Sequence, residues 1–224
     1  MSVEDALERA ADLQRRAKAY SRREHYDRAV AFLTQAIDLL EPALEQQRAQ
    51  TEASSTSLVA TALADTHGVL GGTHRRQGRL DEALREYSAG REIEQDPEFG
   101  IVNSYNLTNE QVIAFLLAPQ PDEQQRAAAK AAYELVWAQA NGPRRGDWWA
   151  WADVGVLSVL AGERDDAENA YRTFLRLGAR PTDLESAQLV LDEIVSHARE
   201  HDPEVMRCAE ATVALLGELR QPPR

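Results

Sequence analysis

The chain is short of several things at once. A single cysteine, Cys208, among 224 residues excludes a disulfide framework and any Cys-x-x-Cys zinc site. No apolar run approaches the roughly 20 residues that a bilayer span requires. The opening Met1-Ser-Val-Glu-Asp-Ala-Leu-Glu-Arg9 lacks the basic-then-apolar order of a signal peptide, so a cytoplasmic protein with no membrane contact is expected. Basic residues are outnumbered, 25 against 37 acidic ones, for a formal charge of −12. Nucleic-acid affinity rests on neutralising phosphates, so no nucleic-acid partner is expected. Lysine is almost missing: only Lys18 and Lys130 occur, and every other basic residue is an arginine. No strand signal exceeds a short apolar stretch.

Helical periodicity runs from end to end. Leu7, Ala10, Ala11, Leu13, Ala17 and Tyr20 recur at helical spacing, as do Ala29, Phe32, Leu33, Ala36, Ile37, Leu40 and Leu44. Further amphipathic stretches cover 58–76, 80–94, 105–117, 123–140, 148–160, 165–177, 182–199 and 203–219. Between them stand breakers: Gln77-Gly78-Arg79, Asp96-Pro97, the Pro119 to Pro121 segment, Asn141-Gly142-Pro143, and Gly162. The polar stretch 51–57 reads as a loop or as the frayed end of a long helix. The expectation is an all-α fold of about ten helices, joined in pairs as hairpins near 4–50, 58–95, 103–140, 147–178 and 182–219, within a single domain over 1–220.

Two of the pairs share a pattern. Gly71, His74, Gly78, Ala83 and Tyr87 have the same offsets as Gly155, Ser158, Gly162, Ala167 and Tyr171. The first pair fits more loosely, through Ala17, Tyr20, Ala29, Leu33, Ala36 and Pro42. Small residues at such positions let two helix backbones approach closely, and the tyrosine fills the crossing. These residues and offsets resemble the tetratricopeptide repeat (TPR), a helix-turn-helix unit of about 34 residues. The resemblance implies an irregular right-handed solenoid. The alanines at 29, 83 and 167 are not spaced by the repeat length, so the second helix of the first pair reads as lengthened and 103–140 as a degenerate pair. Over roughly 60–195, Val102-Asn-Ser-Tyr-Asn-Leu-Thr-Asn109 followed by Asp147-Trp-Trp-Ala-Trp151 is similar to the TRAF-binding repeat domain of stress-activated MAP-kinase-kinase-kinases and to related bacterial sensor modules. That likeness implies a role in stress or defence signalling.

Candidate chemistry is sparse. His197-Ala-Arg-Glu200-His201 matches the pattern of inverted zinc peptidases, with two histidines on one helical face and a glutamate as base. Asp202-Pro203 ends that helix at once, and a histidine near a helix C-terminus is favourable on dipole grounds alone. No metal and no cofactor are therefore expected. His67-Gly68-Val-Leu-Gly71-Gly72-Thr-His74 is glycine-rich but lies within a helix and lacks the Gly-Lys-Ser/Thr ending of a phosphate loop. There Gly71 falls at the helix crossing and Gly72 faces the groove, while His67 and His74 read as packed into the pair. Cys208 reads as a core thiol, and a catalytic activity is not expected.

Under the repeat frame, the concave face carries Gln14, Lys18 and Arg22 from the first pair and Asp65, Arg75 and Arg76 from the second. Asn106 and Asn109 follow from the degenerate pair, and Trp149 stands as an aromatic anchor. Arginine forks and amides suit carboxylates and phosphates, although arginines also serve simply to solvate helix surfaces. The expected function is a non-enzymatic adaptor that binds another protein, through a peptide segment or acidic tail. A small anionic ligand of nucleotide type is the alternative. The charge is also uneven, with eleven acidic and five basic residues over 161–204.

Overall fold

The computed structural model describes residues 1–50 and 53–220, with side chains at all of these except 50 and 53–57. Among the described residues there are ten helices and no strand: α1 (Val3–Ser21), α2 (Tyr26–Gln50), α3 (Ala53–Arg76), α4 (Leu80–Gln95), α5 (Tyr105–Leu117), α6 (Glu123–Asn141), α7 (Trp148–Leu160), α8 (Arg164–Arg176), α9 (Pro181–His201) and α10 (Pro203–Leu219). The expected all-α architecture of helical hairpins is what the chain forms. The stretch 51–57 lies partly outside the described residues, and α3 begins at Ala53.

Local chemistry sets several helix starts. Ser2 and Asp5 form a reciprocal capping box on α1, and Asp122 and Gln125 form one on α6. Asp147 caps α7 through the Trp149 amide, and Asp202 caps α10 through the amides of Glu204 and Val205.

The chain divides into two compact units, Met1–Glu110 and Gln111–Arg224. In the first, α1 pairs with α2 and α3 with α4, while α2 and α1 both pack on α3. Its core holds Ala6, Ala10, Leu40, Val59 and Leu63 together with Phe99, beside a second cluster of Ala17, Ala29, Leu33 and Leu70. Helix α2 runs through Pro42 for 25 residues, the lengthening expected from the sequence. Near its end Arg48 pairs with Asp96 at 2.9 Å and lies over the Phe99 ring at 4.7 Å. In the second unit α7 pairs with α8 and α9 with α10, and α6 packs on α7. Its core runs from Val112 and Phe115 through Tyr171 and Phe174 to Leu191, Ile194 and Leu216.

The shared pattern has a geometric cause. A β-carbon on Gly71 would lie 3.0 Å from the Tyr87 ring, and one on Gly155 would lie 2.6 Å from the Tyr171 ring. Both tyrosines are buried, as are Ala83 and Ala167. The turn that follows is also repeated. The amides of His25, Arg79 and Glu163 donate to the carbonyls of Tyr20, His74 and Ser158 at 3.1, 3.0 and 2.8 Å. Each turn needs one left-handed residue. It is Gly78 (φ +72°) in the second hairpin and Gly162 (φ +76°) in the fourth, but Glu24 (φ +61°) in the first. Ala17, Tyr20, Glu24, Ala29 and Leu33 therefore repeat the same offsets with a glutamate in the glycine position.

Candidate functional site

In the first unit a cavity of about 470 Å³ opens between α1 and α3. Lys18, Ser21 and Arg22 form one wall, Val69, Gly72 and Arg76 the other, and Tyr105 closes one side. Residues four apart on a helix share a face, which aligns Lys18 with Arg22 and Gly72 with Arg76. The fully buried Ala17 lets α1 approach its neighbours. Gln14 sets the register, since its Nε2 donates to Thr66 Oγ1 at 2.5 Å, and Thr66 in turn donates to the Ala62 carbonyl at 2.6 Å.

Gly72 leaves a niche in the floor. A point where its β-carbon would stand is 3.4 Å from the Tyr87 hydroxyl, 3.7 Å from the Tyr105 hydroxyl and 4.0 Å from Arg76 Nη2. The two tyrosine rings meet edge to face at 6.2 Å, and their hydroxyls are hydrogen-bonded. Desolvation pushes the Tyr87 phenol far above its usual range, and the Tyr105 hydroxyl adds to that; Arg75 and Arg76 pull it back. Arg76 Nη1 donates to Ser21 Oγ at 3.1 Å, tying the ends of α3 and α1 together. Among the described residues of this unit, Arg15, Arg48, His67 and Arg91 take part in ion pairs, and Lys18, Arg22 and Arg76 do not. Desolvation raises the Asp65 carboxyl, and the Lys18 ammonium draws it back.

Of the residues singled out from the sequence, Lys18, Arg22 and Arg76 come together around this cavity, with Gly72 as its floor. Arg75 is half-buried and its Nη1 donates to Asn109 Oδ1 at 3.3 Å, while Asn109 Nδ2 donates to the Tyr105 carbonyl at 2.8 Å. Those two residues brace the start of α5. Asn106 is a correction: it is 0% exposed and belongs to the core instead of the groove. Its Nδ2 donates to Glu94 Oε1 at 2.8 Å and to the Ala64 carbonyl at 3.1 Å, because a buried carboxylate on α4 needs donors there. Gln14 is likewise spent on α3.

Trp149 lies in the second unit, 43% exposed, with its ring 5.7 Å from that of Phe174. Trp151 is half-buried, edge-on to Trp137 at 5.9 Å, and its indole N–H donates to the Arg145 carbonyl at 3.3 Å. The sequence reading missed Ser21, Tyr105 and the Tyr87 hydroxyl. The signal for the last was present, since a tyrosine at a packing position where a phenyl ring suffices carries a hydroxyl that needs a destination.

The remaining motifs resolve into packing. His67 Nδ1 is 2.8 Å from Glu86 Oε2, and His74 is buried. His197 Nε2 is 2.9 Å from the Ala118 carbonyl, its ring stands edge-on to Phe115, and α9 ends at His201 as its sequence required. No three His, Cys, Asp or Glu side chains gather as a metal set among the described residues. Cys208 is buried, and desolvation pushes its thiol up to about 11. A second cavity of about 240 Å³ near the start of α10 is lined by charges of both signs, with Arg126 paired to Asp202 at 3.1 Å.

No protein-family model matches the chain, and no curated protein matches it. The crystal structure of BtubC (BKLC) from P. vanneervenii is similar to it at 14% sequence identity and a TM-score of 0.41, with the match covering 100% of this chain and 96% of the other. These findings assign the chain to no family.

Proposed function

We propose that the chain is a non-enzymatic binding module of tetratricopeptide type, and that the cavity between α1 and α3 holds an anionic group on a segment of a partner protein. The observation that carries this reading is the convergence of Lys18, Arg22 and Arg76, from two helices, on a floor kept open by Gly72, with no carboxylate at ion-pair distance from them among the described residues and Asp65 acting on Lys18 from beyond it. Unpaired cations gathered inside a chain of net charge −12 repel one another and need a counter-charge. Arginine forks supply directional donors to an oxyanion.

Magnitude favours a segment over a lone ion. A half-open ion pair contributes about 1 kcal/mol at most, so three such contacts give roughly 3 kcal/mol and no better than millimolar affinity. Flanking contacts along a bound chain must supply the rest. The cavity volume, about 470 Å³, also falls within the roughly 300–1,000 Å³ of small-molecule sites. That supports a second reading, a sensor of a small anionic ligand.

The test is a triple substitution, Lys18→Glu, Arg22→Glu and Arg76→Glu, at three exposed positions, read by fluorescence anisotropy against an array of acidic nonapeptides. Peptides that bind the parent protein are expected to lose at least about tenfold in affinity, with the circular dichroism and melting temperature preserved. Equal binding by both proteins, or no peptide binding by either, overturns the proposal.

A further inference from the structure

We propose that the group held in the cavity is a phosphomonoester, with the Gly72 niche as its seat; this rests on the anion-binding reading above and deepens it. A carboxylate is planar, offers two oxygens and carries one charge. A phosphomonoester is tetrahedral, offers three terminal oxygens and carries about 1.5 to 2 negative charges at neutral pH.

The charge balance accommodates either group. Lys18, Arg22 and Arg76 contribute three positive charges and Asp65, which feels the Lys18 ammonium, one negative charge. Helices α1 and α3 both end at the cavity, at Ser21 and Arg76, and each C-terminus carries about half a negative charge. The sum is about one positive charge, so the choice between the two groups rests on the donor geometry.

The donor geometry favours the phosphomonoester. The niche is bounded on one side by the hydroxyls of Tyr87 and Tyr105, within 3.4 and 3.7 Å of the vacant β-carbon position, and on another by Arg76. Lys18 and Arg22 stand on the opposite helix. With one hydroxyl hydrogen spent on the bond between the two tyrosines, the other hydroxyl and Arg76 are left as donors at the niche, and Lys18 and Arg22 face it across the cavity; donors on more than one side suit the three terminal oxygens of a tetrahedral oxyanion. Any side chain at position 72 would occupy the seat. A glycine here destabilises α3 relative to alanine, and neither of the tight contacts that explain Gly68 and Gly71 is present at Gly72, where every neighbour is at ordinary van der Waals distance.

The experiment titrates the full chain with an acidic nonapeptide carrying phosphoserine at its centre, with the same peptide carrying aspartate or serine there, and with AMP. Three proteins are compared: the parent, Arg76→Gln, and Gly72→Leu. The leucine fills the niche without removing a charge, so binding through long-range attraction alone survives it. The expected result is at least about tenfold tighter binding of the phosphoserine peptide than of the aspartate peptide, with that preference lost in both variants while melting temperatures stay at or above the parent value for Gly72→Leu. Phosphoserine and aspartate peptides binding within about twofold of each other overturn the phosphate seat and leave the anionic-segment reading standing. A preference that persists in Gly72→Leu also overturns it. AMP binding with no peptide binding supports the phosphate seat and overturns the segment reading. Failure of every probe overturns both.

Discussion

Asn106 Nδ2 donates to Glu94 Oε1 at 2.8 Å, and the amide that makes this bond is wedged between two glycines on different helices. A β-carbon on Gly90 of α4 would lie 2.5 Å from the Asn106 amide, and one on Gly68 of α3 would lie 2.8 Å from its oxygen. Asn103 adds a second bond to the same carboxylate oxygen at 2.8 Å. The start of α5 is thus locked to α3 and α4 by a buried polar contact, and the neighbouring Tyr105 is thereby placed at the rim of the cavity.

That contact predicts opposite outcomes for two glycine-to-alanine changes. Gly90→Ala gains up to about 1 kcal/mol of helix propensity yet collides with Asn106, and a net loss of about 2 kcal/mol is expected from overpacking. Gly72→Ala meets only ordinary contacts, so it is expected to stabilise the protein by up to about 1 kcal/mol. Urea unfolding of both variants measures the contrast, and a stabilised Gly90→Ala contradicts the packing described.

Glu24 occupies the left-handed position that Gly78 and Gly162 fill in the other two hairpins. A side chain in that conformation costs roughly 1–2 kcal/mol, partly offset by the greater entropy of an unfolded glycine. Glu24→Gly is expected to raise stability by about 1 kcal/mol, seen as a higher melting temperature. A lower one shows that the glutamate makes a compensating contact.

The two plug tyrosines separate by their hydroxyls. The Tyr171 hydroxyl is fully buried with no protein partner, and desolvation drives its phenol far above the usual range. Tyr171→Phe is expected to stabilise the protein by about 1 kcal/mol, since an unsatisfied buried hydroxyl costs about 1–3 kcal/mol. Tyr87→Phe removes a hydroxyl bonded to Tyr105 and is expected to destabilise by about 1 kcal/mol. Paired chemical denaturation curves decide it, and equal effects from the two substitutions refute the distinction.

His74 is buried, its Nδ1 has no protein partner, and desolvation, followed by the charge of Arg79, lowers its pKa from 6.5. The unfolded chain therefore binds this proton more readily than the folded one. Stability is complete above pH 6.5 and falls as the pH drops from there towards the lowered folded value. Melting temperatures between pH 5 and 8 are expected to decline less steeply on the acid side for His74→Gln than for the parent. Parallel profiles rule out His74 as the source.

Helix boundaries were legible in the residues because they depend on local chemistry. Prolines, glycines and capping aspartates stand where helices begin and stop, so nine of the expected spans agree with the observed ones to within two residues or so, and only the start of α3 lies further off, within a polar stretch that carries no breaker. The Gly71–Tyr87 and Gly155–Tyr171 crossings were legible for the same reason, since each pair recurs at a fixed spacing within one hairpin. Helical periodicity aligns Lys18 with Arg22 on α1, whereas Arg76, on α3, joined them only through the repeat frame that the residue offsets resemble.

What the tertiary structure decided is how residues distant in the chain share space. Asn106 has the same amide as a groove residue, and only the burial of Glu94, twelve positions away, assigns it to the core. Tyr105 and Tyr87 meet above Gly72 because three helices converge there, and no spacing along the chain encodes that convergence. Periodicity specifies which way a side chain faces on its own helix; whether that face meets solvent, a carboxylate or an open niche depends on what the other helices bring to it.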